Sequence, residues 1–140
     1  MTFEKFLFSE RQVKTYYTNA KKDFNTATRY QKNSEICFRF GYDALIKLAV
    51  SVCAHEGLRV LSRAGHHVEL IEKMSAILGE ADISKYGNKM RKKRNMDIYG
   101  GGILLTANEA KIYFEFVKKI FVLANNYFNK KAGKTTLFDQ

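Results

Sequence analysis

Segment 35–56 constrains the fold most strongly, because it is apolar almost all the way around a helix. A helix of this kind normally lies at the centre of a bundle, or serves both a core and a subunit interface. Ser34 is predicted to cap its start and Gly57 to end it. One apolar face comprises Phe38, Leu45, Leu48, Ala49 and Val52, and a second comprises Ile36, Phe40 and Ala44.

Four further segments space their apolar residues as helices do, and the chain contains no proline. The sequence therefore predicts an all-α fold, an antiparallel bundle of four to five helices, in one domain over residues 1–128. Residues 129–140 are predicted to form a basic, flexible C-terminal tail. The four helices are predicted from the cap at Ser9 to about Gln31, from His67 to Leu78 before Gly79, from about Ile83 to Asn95, and onward from Ala107 after a capping box of Thr106 and Glu109.

The charge of the chain limits its partners. With 24 basic and 14 acidic residues the formal net charge is +10, which favours nucleic acid, nucleotides or an acidic partner over a neutral small substrate. An anionic membrane surface would satisfy the charge as well. No apolar run has the length of a membrane span, and the first nine residues lack the pattern of a signal peptide. We therefore expect a cytoplasmic protein that does not enter a membrane.

Two cysteines indicate the redox environment. Cys37 and Cys53 are sixteen residues apart on the same predicted helix, too far along it to bridge each other. They are expected to be small core residues of a protein from a reducing compartment.

The fourth predicted helix ends in the most basic stretch of the chain. Within residues 85–94 there are six basic residues and no acidic one. Such a density is typical of a phosphate-binding surface, although a solvated helix face can also be this basic. The six residues are Lys85, Lys89, Arg91, Lys92, Lys93 and Arg94.

Arg94 differs from the other five in its position. It continues the apolar stripe of Ile83, Tyr86 and Met90, so its side chain would point where a core residue is expected. Burying a guanidinium group there is costly unless it has a partner or a pocket. The alternative interpretation is that Arg94 only balances the negative end of the helix dipole.

Asn95, Asp97 and Tyr99 add polar groups directly after Arg94. In a continuous helix, positions 94 and 99 would lie about 140° apart, so their convergence within one chain requires the helix to end or loosen first. The glycine triplet 100–102 is suited to such a break.

Two familiar motifs are incomplete. The sequence Gly-Lys-Thr at 133–135 resembles the end of a phosphate-binding loop, but the earlier glycine would have to be at Phe128. His55 and Glu56 begin a zinc-protease pattern, but the second histidine would fall on Arg59. Neither motif is therefore predicted, and no cofactor is implied.

The histidines do not form a predicted metal site. Cys53 and the three histidines have neither a CxxC spacing nor an accompanying set of carboxylates, so no metal ligands are predicted. His66 and His67 precede a helix and are most simply local hydrogen-bond partners. A role as general acid or base requires a second group nearby, and only folding would bring Arg94 or Asp97 to them.

The order of these elements, the run GHHVELI at 65–71 and above all RKKRNMDIY at 91–99 resemble the HEPN superfamily of helical-bundle proteins. The resemblance covers most of the chain, from the first long helix to the last. It implies a motif of an arginine, a polar residue and, after a spacer, a histidine, placed so that two copies form one RNA-cleaving site. Arg94 and Asn95 match this motif, but Tyr99 stands where the histidine would be.

The first function that the resemblance implies is that of a metal-independent endoribonuclease of the toxin–antitoxin or phage-defence type. Its composite site would lie at a homodimer interface. Arg94 would stabilise the scissile phosphate, Asn95 would orient it, and Tyr99 or Asp97 would handle protons. Tyrosine is a poor proton carrier at neutral pH, because its ordinary pKa is about 10. The residues expected to hold the RNA backbone are Lys85, Lys89, Arg91, Lys92 and Lys93.

The alternative implied by the resemblance is a catalytically degenerate module that binds RNA or a nucleotide and partners a minimal nucleotidyltransferase. Tyr99 would then be a candidate acceptor of a nucleotide. A structural or oligomerisation role is a third hypothesis. For the dimer surface, the sequence suggests the second helix together with the Arg94 end of the fourth.

Overall fold

The chain forms a helical bundle in the computed structural model, which confirms the prediction of an all-α fold. The structure describes residues 2–61, 66–100, 102 and 104–131, and for residues 97–100 and 131 it describes the backbone alone. In order, the elements are β1 (Phe3–Lys5), α1 (Glu10–Arg29), α2 (Ser34–His55), β2 (Leu58–Val60), α3 (His67–Leu78), α4 (Ala81–Gly100) and α5 (Ala107–Lys131).

Helix α2 lies at the centre of the bundle, as its apolar sequence predicts. It packs against α1, α3, α4, α5 and β2. Phe38, Leu45 and Leu48 of α2 are among its many buried residues, so most of its surface faces other elements. α1 and α5 join on the same core, where the ring of Phe24 stacks on those of Phe114 and Phe121.

The helix ends follow local capping chemistry. Ser9 caps α1, Thr106 and Glu109 form a capping box at the start of α5, and Gly79 ends α3 in the left-handed conformation, all as predicted. Gln12 also completes a capping box with Ser9, which was not predicted. The cap of α2 is Asn33 rather than Ser34, so that prediction was wrong. Asn33 has an extended backbone and its Oδ1 accepts a hydrogen bond from the amide of Ile36 at 3.1 Å, while Ser34 already belongs to the helix.

A small sheet was not predicted. β1 and β2 pair antiparallel with Phe3 opposite Val60 and Lys5 opposite Leu58, and an ion pair between Glu4 and Arg59 crosses the sheet. Strands of three residues are too short to show a recognisable alternation, which explains why they were missed. β2 lies in the segment predicted to connect two helices, of which residues 62–65 lie outside the described part.

Helix α4 continues to Gly100, so the prediction that it ends at Asn95 was wrong. No proline or glycine interrupts the segment between Asn95 and Gly100, and the helix therefore continues to the glycines themselves. α5 likewise continues to Lys131, and the rest of the predicted tail lies outside the described residues. No helix in the described part of the chain is both long enough and apolar enough to cross a bilayer.

Both cysteines are free thiols in the core, in agreement with their predicted role. Burial raises the pKa of the Cys53 thiol to about 12 and also raises that of Cys37. The two groups therefore stay protonated near neutral pH and are weak nucleophiles.

Gly87 allows α4 to approach its neighbours closely. A Cβ atom at this position would lie 2.9 Å from Cγ2 of Ile71 and 3.6 Å from Cδ2 of Leu45, two side chains that are fully buried. We expect Gly87→Val to lower the free energy of unfolding by about 2 kcal/mol, because the added methyl groups overpack this contact. Urea denaturation measures the change.

The matched control is Gly41→Ala in α2, where an added Cβ would meet nothing within 4 Å. This substitution should stabilise the protein by about 0.5–1 kcal/mol, because alanine loses less backbone entropy in a helix than glycine. A Gly87→Val variant as stable as the wild type would contradict the close approach of α4.

Candidate functional site

Three helices bring charged and aromatic residues together around Arg94. α4 supplies Arg91 and Arg94, α2 supplies Tyr42 and Asp43, and α3 begins with His67. The two arginine charges act on both Tyr42 and His67, and the charge of Arg94 acts on Asp43. We call these five residues the α2–α3–α4 site.

Arg94 lies where the sequence stripe places it. Ile83 and Met90 of the same stripe are buried against the core, and Arg94 follows them as a half-buried residue. The prediction that Arg94 is directed toward the interior of the bundle is thereby confirmed. Nε of Arg94 is buried, and the charge of Arg94 acts on residues of both α2 and α3.

A hydrogen-bond network between α3 and α4 holds Arg91. Nε of Arg91 donates to Oδ1 of Asn88 at 3.2 Å, and Nδ2 of Asn88 donates to Oε2 of Glu72 on α3 at 2.8 Å. Ser84 also donates to this carboxylate, at 2.6 Å. These contacts fix the register of the two helices and thus the position of Arg91 relative to the start of α3.

Tyr42 and His67 form the direct contact between α2 and α3. The hydroxyl oxygen of Tyr42 lies 2.9 Å from Nδ1 of His67, and Tyr42 is only 1% exposed. Burial raises the pKa of Tyr42 far above its ordinary value. The pKa of His67 is lowered, mainly by burial and then by the charges of His66, Arg94 and Arg91. Both groups are therefore uncharged at neutral pH.

Asp43 is the carboxylate of the site. It is half-buried, and burial raises its pKa even though the nearby charge of Arg94 lowers it. The charge of Asp23 also raises this pKa, whereas the charges of Lys47 and Arg39 lower it. Lys47 forms an ion pair with Asp23 at 2.7 Å. Asp43 therefore accepts a proton more readily than an exposed aspartate does.

The predicted lysines divide into two groups. Lys85, Lys89 and Lys92 are exposed on the outer face of α4, and Nζ of Lys85 and of Lys89 each lie 5.3 Å from the centre of the Tyr86 ring. Lys93 instead joins α4 to the start of α5. Its Nζ donates to the carbonyl oxygen of Leu104 at 2.8 Å and lies 3.3 Å from the carboxylate of Glu109.

The remaining predicted site residues follow Arg94 on α4. Asn95 is exposed, while the side chains of Asp97 and Tyr99 lie outside the described residues. Because α4 is continuous to Gly100, positions 94 and 99 lie about 140° apart around its axis. The helix break that would let them converge within one chain is therefore not present before Gly100.

The sequence interpretation missed Tyr42 and Asp43, because α2 was treated as a purely apolar helix. The available signal was Asp43 itself, the only acidic residue in the interior of this helix. Of the two groups that folding would have to bring to His67, Arg94 lies close enough for its charge to lower the pKa of His67, and the side chain of Asp97 lies outside the described residues.

A second polar cluster lies at the other end of α2. Nδ1 of His55 is 3.1 Å from the hydroxyl oxygen of Tyr127, which donates a hydrogen bond to Glu56. This cluster joins the end of α5 to the end of α2. In the described part of the chain, this cluster included, no three or more His, Cys, Asp or Glu residues are grouped so that they could hold a metal ion.

The fold and site together define an all-α bundle protein with an arginine, histidine and aspartate cluster at the junction of three helices. Comparisons of the chain with models of protein families, with curated proteins and with solved structures find no match. Membership of the HEPN superfamily therefore stays a prediction from the sequence motif.

Proposed function

We propose that this chain is a HEPN-like, RNA-directed protein that cleaves RNA without a metal ion. The observation that carries the proposal is the α2–α3–α4 site, where Arg91 and Arg94 lie near a histidine and an aspartate. Arginine is well suited to phosphate because its planar group donates two parallel hydrogen bonds. The exposed lysines of α4 extend this positive surface and supply contacts to the RNA backbone that are independent of base sequence.

The proposed reaction uses the 2′-hydroxyl group of RNA as the nucleophile. Asp43, whose pKa is raised by burial, accepts the proton of this hydroxyl, and the 2′-oxygen then attacks the adjacent phosphorus. Arg94 stabilises the negative charge that develops on the phosphate oxygens. The bond to the 5′-oxygen breaks as a water molecule donates a proton to this oxygen, and Asp43 then returns its proton to the solvent. The products carry a 2′,3′-cyclic phosphate and a 5′-hydroxyl.

A homodimer fits the geometry of α4. Since positions 94 and 99 lie about 140° apart around a continuous helix, a site that uses both positions is more readily formed by two copies of the chain. In the proposed dimer, Tyr99 or Asp97 of one copy takes part in proton transfer at the Arg94 site of the other copy. Asn95 orients the phosphate. Sedimentation should therefore show a dimer at micromolar concentration, and a monomer would remove the shared site.

We expect the purified protein to cut a mixed single-stranded RNA in the presence of EDTA. The matched control is a DNA oligonucleotide of the same sequence, which should bind but stay intact because it lacks the 2′-hydroxyl group. Gel electrophoresis measures cutting, and mass spectrometry of the fragments should show the cyclic phosphate. Intact RNA, or equal cutting of the DNA, would contradict the proposed reaction.

The second candidate function is a binding module that partners a minimal nucleotidyltransferase. The observation that favours it is the hydrogen bond between Tyr42 and His67, which occupies Nδ1 of the imidazole and so keeps this nitrogen from taking a proton of the substrate. Retained RNA binding without cutting, together with transfer of a nucleotide to Tyr99 by a co-purified enzyme, would support this function.

A further inference from the structure

The hydrogen bond between Tyr42 and His67 determines which nitrogen of the imidazole carries the proton. Among the described residues, Nδ1 of His67 is the one hydrogen-bond partner of the Tyr42 hydroxyl group. Tyr42 is 1% exposed, so a hydroxyl hydrogen that did not point at Nδ1 would be buried without an acceptor. That arrangement would cost about 1–3 kcal/mol. Tyr42 therefore donates, and Nδ1 accepts.

An accepting Nδ1 fixes the state of the other ring nitrogen. A neutral imidazole has one donor and one acceptor, so the proton of His67 is on Nε2. Within the described residues no acceptor for this Nε2–H group is found. His67 is half-buried at the first position of α3, and the charges of Arg91 and Arg94 act on it. Hydrogen bonds from Arg91 through Asn88 to Glu72 also tie α4 to α3 about one and a half turns from His67. Arg94 is a neighbour of Arg91 on the surface of α4, so the donor group of His67 lies near this pair of arginines.

We propose that Nε2–H of His67 donates a hydrogen bond to a phosphate oxygen held by Arg91 and Arg94, with Tyr42 as the positioning residue. The ligand class is a phosphate group, either the phosphodiester of an RNA backbone or the monoester of a nucleotide. This inference deepens the proposed function and rests on it for the choice of RNA. It also means that His67 is a donor to the substrate and that the base in the proposed reaction is a different group.

Two neighbouring features agree with a neutral donor. A positive charge on His67 would be disfavoured beside Arg91, Arg94 and His66. Burial lowers the pKa of His67 most, and the charges of these three residues lower it further. A neutral donor adds a hydrogen bond to the anion without adding charge. Tyr42 is buried in α2, whose packing on α3 fixes the ring orientation.

Nuclear magnetic resonance with 15N-labelled histidine tests the inference directly. The nitrogen shifts of His67 should show an unprotonated Nδ1 and a protonated Nε2 at neutral pH. Titration with inorganic phosphate should shift the Nε2–H signal of His67 but leave His55, at the other end of α2, unchanged. An Nδ1-protonated ring, or equal shifts at His55 and His67, would overturn the proposal.

Tyr42→Phe removes the positioning hydrogen bond and keeps the aromatic ring. We expect it to allow both tautomers of His67 and to weaken phosphate binding about tenfold, consistent with the loss of one ordered donor. Tyr113→Phe, which removes the hydroxyl of a buried tyrosine on α5, should leave the affinity unchanged. Equal affinity of the Tyr42→Phe variant and the wild type would overturn the positioning role.

Two further probes separate the ligand sources and the proposed function. Tighter binding of dimethyl phosphate than of AMP supports a backbone phosphodiester, and the reverse order supports a nucleotide. Phosphate binding at His67 in a protein that neither binds nor cuts RNA would support this inference while refuting the proposed function. RNA cutting by a protein with an Nδ1-protonated His67 would do the opposite.

Discussion

Leu45→Ala is expected to lower the free energy of unfolding by about 3–5 kcal/mol. Leu45 is 0% exposed in the central helix, and its Cδ2 lies beside Gly87, where α4 packs against α2. Truncation removes apolar contacts and leaves a cavity that the surrounding helices cannot fill by small shifts. Urea denaturation followed by circular dichroism measures the loss.

Leu104→Ala provides the control for this substitution. Leu104 is 74% exposed in the segment before α5, so the same change should alter the free energy of unfolding by at most about 0.5 kcal/mol. A small effect at Leu45 would contradict the central position of α2. Because α2 also carries Tyr42 and Asp43, a loosened core should weaken the site as well.

Arg94→Lys is expected to reduce RNA cutting by about 100-fold or more while changing the melting temperature little. Lysine keeps the positive charge near Asp43 and so preserves the electrostatic balance of the half-buried carboxylate. It lacks the planar group that binds two phosphate oxygens at once. Loss of one such donor in a transition state typically costs about 100- to 1,000-fold in rate.

The reciprocal change, Lys89→Arg, is the control. Lys89 is exposed on the outer face of α4, where lysine and arginine would neutralise a backbone phosphate equally well. Its rate should match the wild type. If Arg94→Lys also cut at the wild-type rate, Arg94 would contribute only its positive charge, which would contradict the binding of two phosphate oxygens by its planar group.

The five helices could be predicted because each has a periodic apolar stripe and most have a local stop or cap. The capping box of Thr106 and Glu109 and the C-terminal Gly79 act within a few residues, so their effect is visible in the sequence. The paired strands are too short to carry a period, and their pairing joins segments more than fifty residues apart.

The site was only half predictable for a related reason. Arg94 was identifiable because it continues an apolar stripe on its own helix, which is a local pattern. Tyr42 and His67 come into contact only because α2 packs on α3, and no sequence pattern in either helix indicates that contact. The end of α4 was predicted too early, at Asn95, although the residues between Asn95 and the glycine triplet are compatible with a helix.

If RNA phosphate binds at the α2–α3–α4 site, removing the two arginines of this site should weaken RNA binding more than removing two exposed lysines. The double variants Arg91→Gln/Arg94→Gln and Lys85→Gln/Lys89→Gln each lower the formal net charge from +10 by two. Fluorescence anisotropy with a labelled single-stranded RNA at fixed salt gives both affinities, and circular dichroism confirms that each variant is folded. We expect the affinity to fall about 100-fold for the arginine pair, which loses two charge-assisted hydrogen-bonding groups, and less than about tenfold for the exposed lysine pair. Equal losses in the two folded variants would show that net charge alone binds the RNA and would contradict a phosphate site at these three helices.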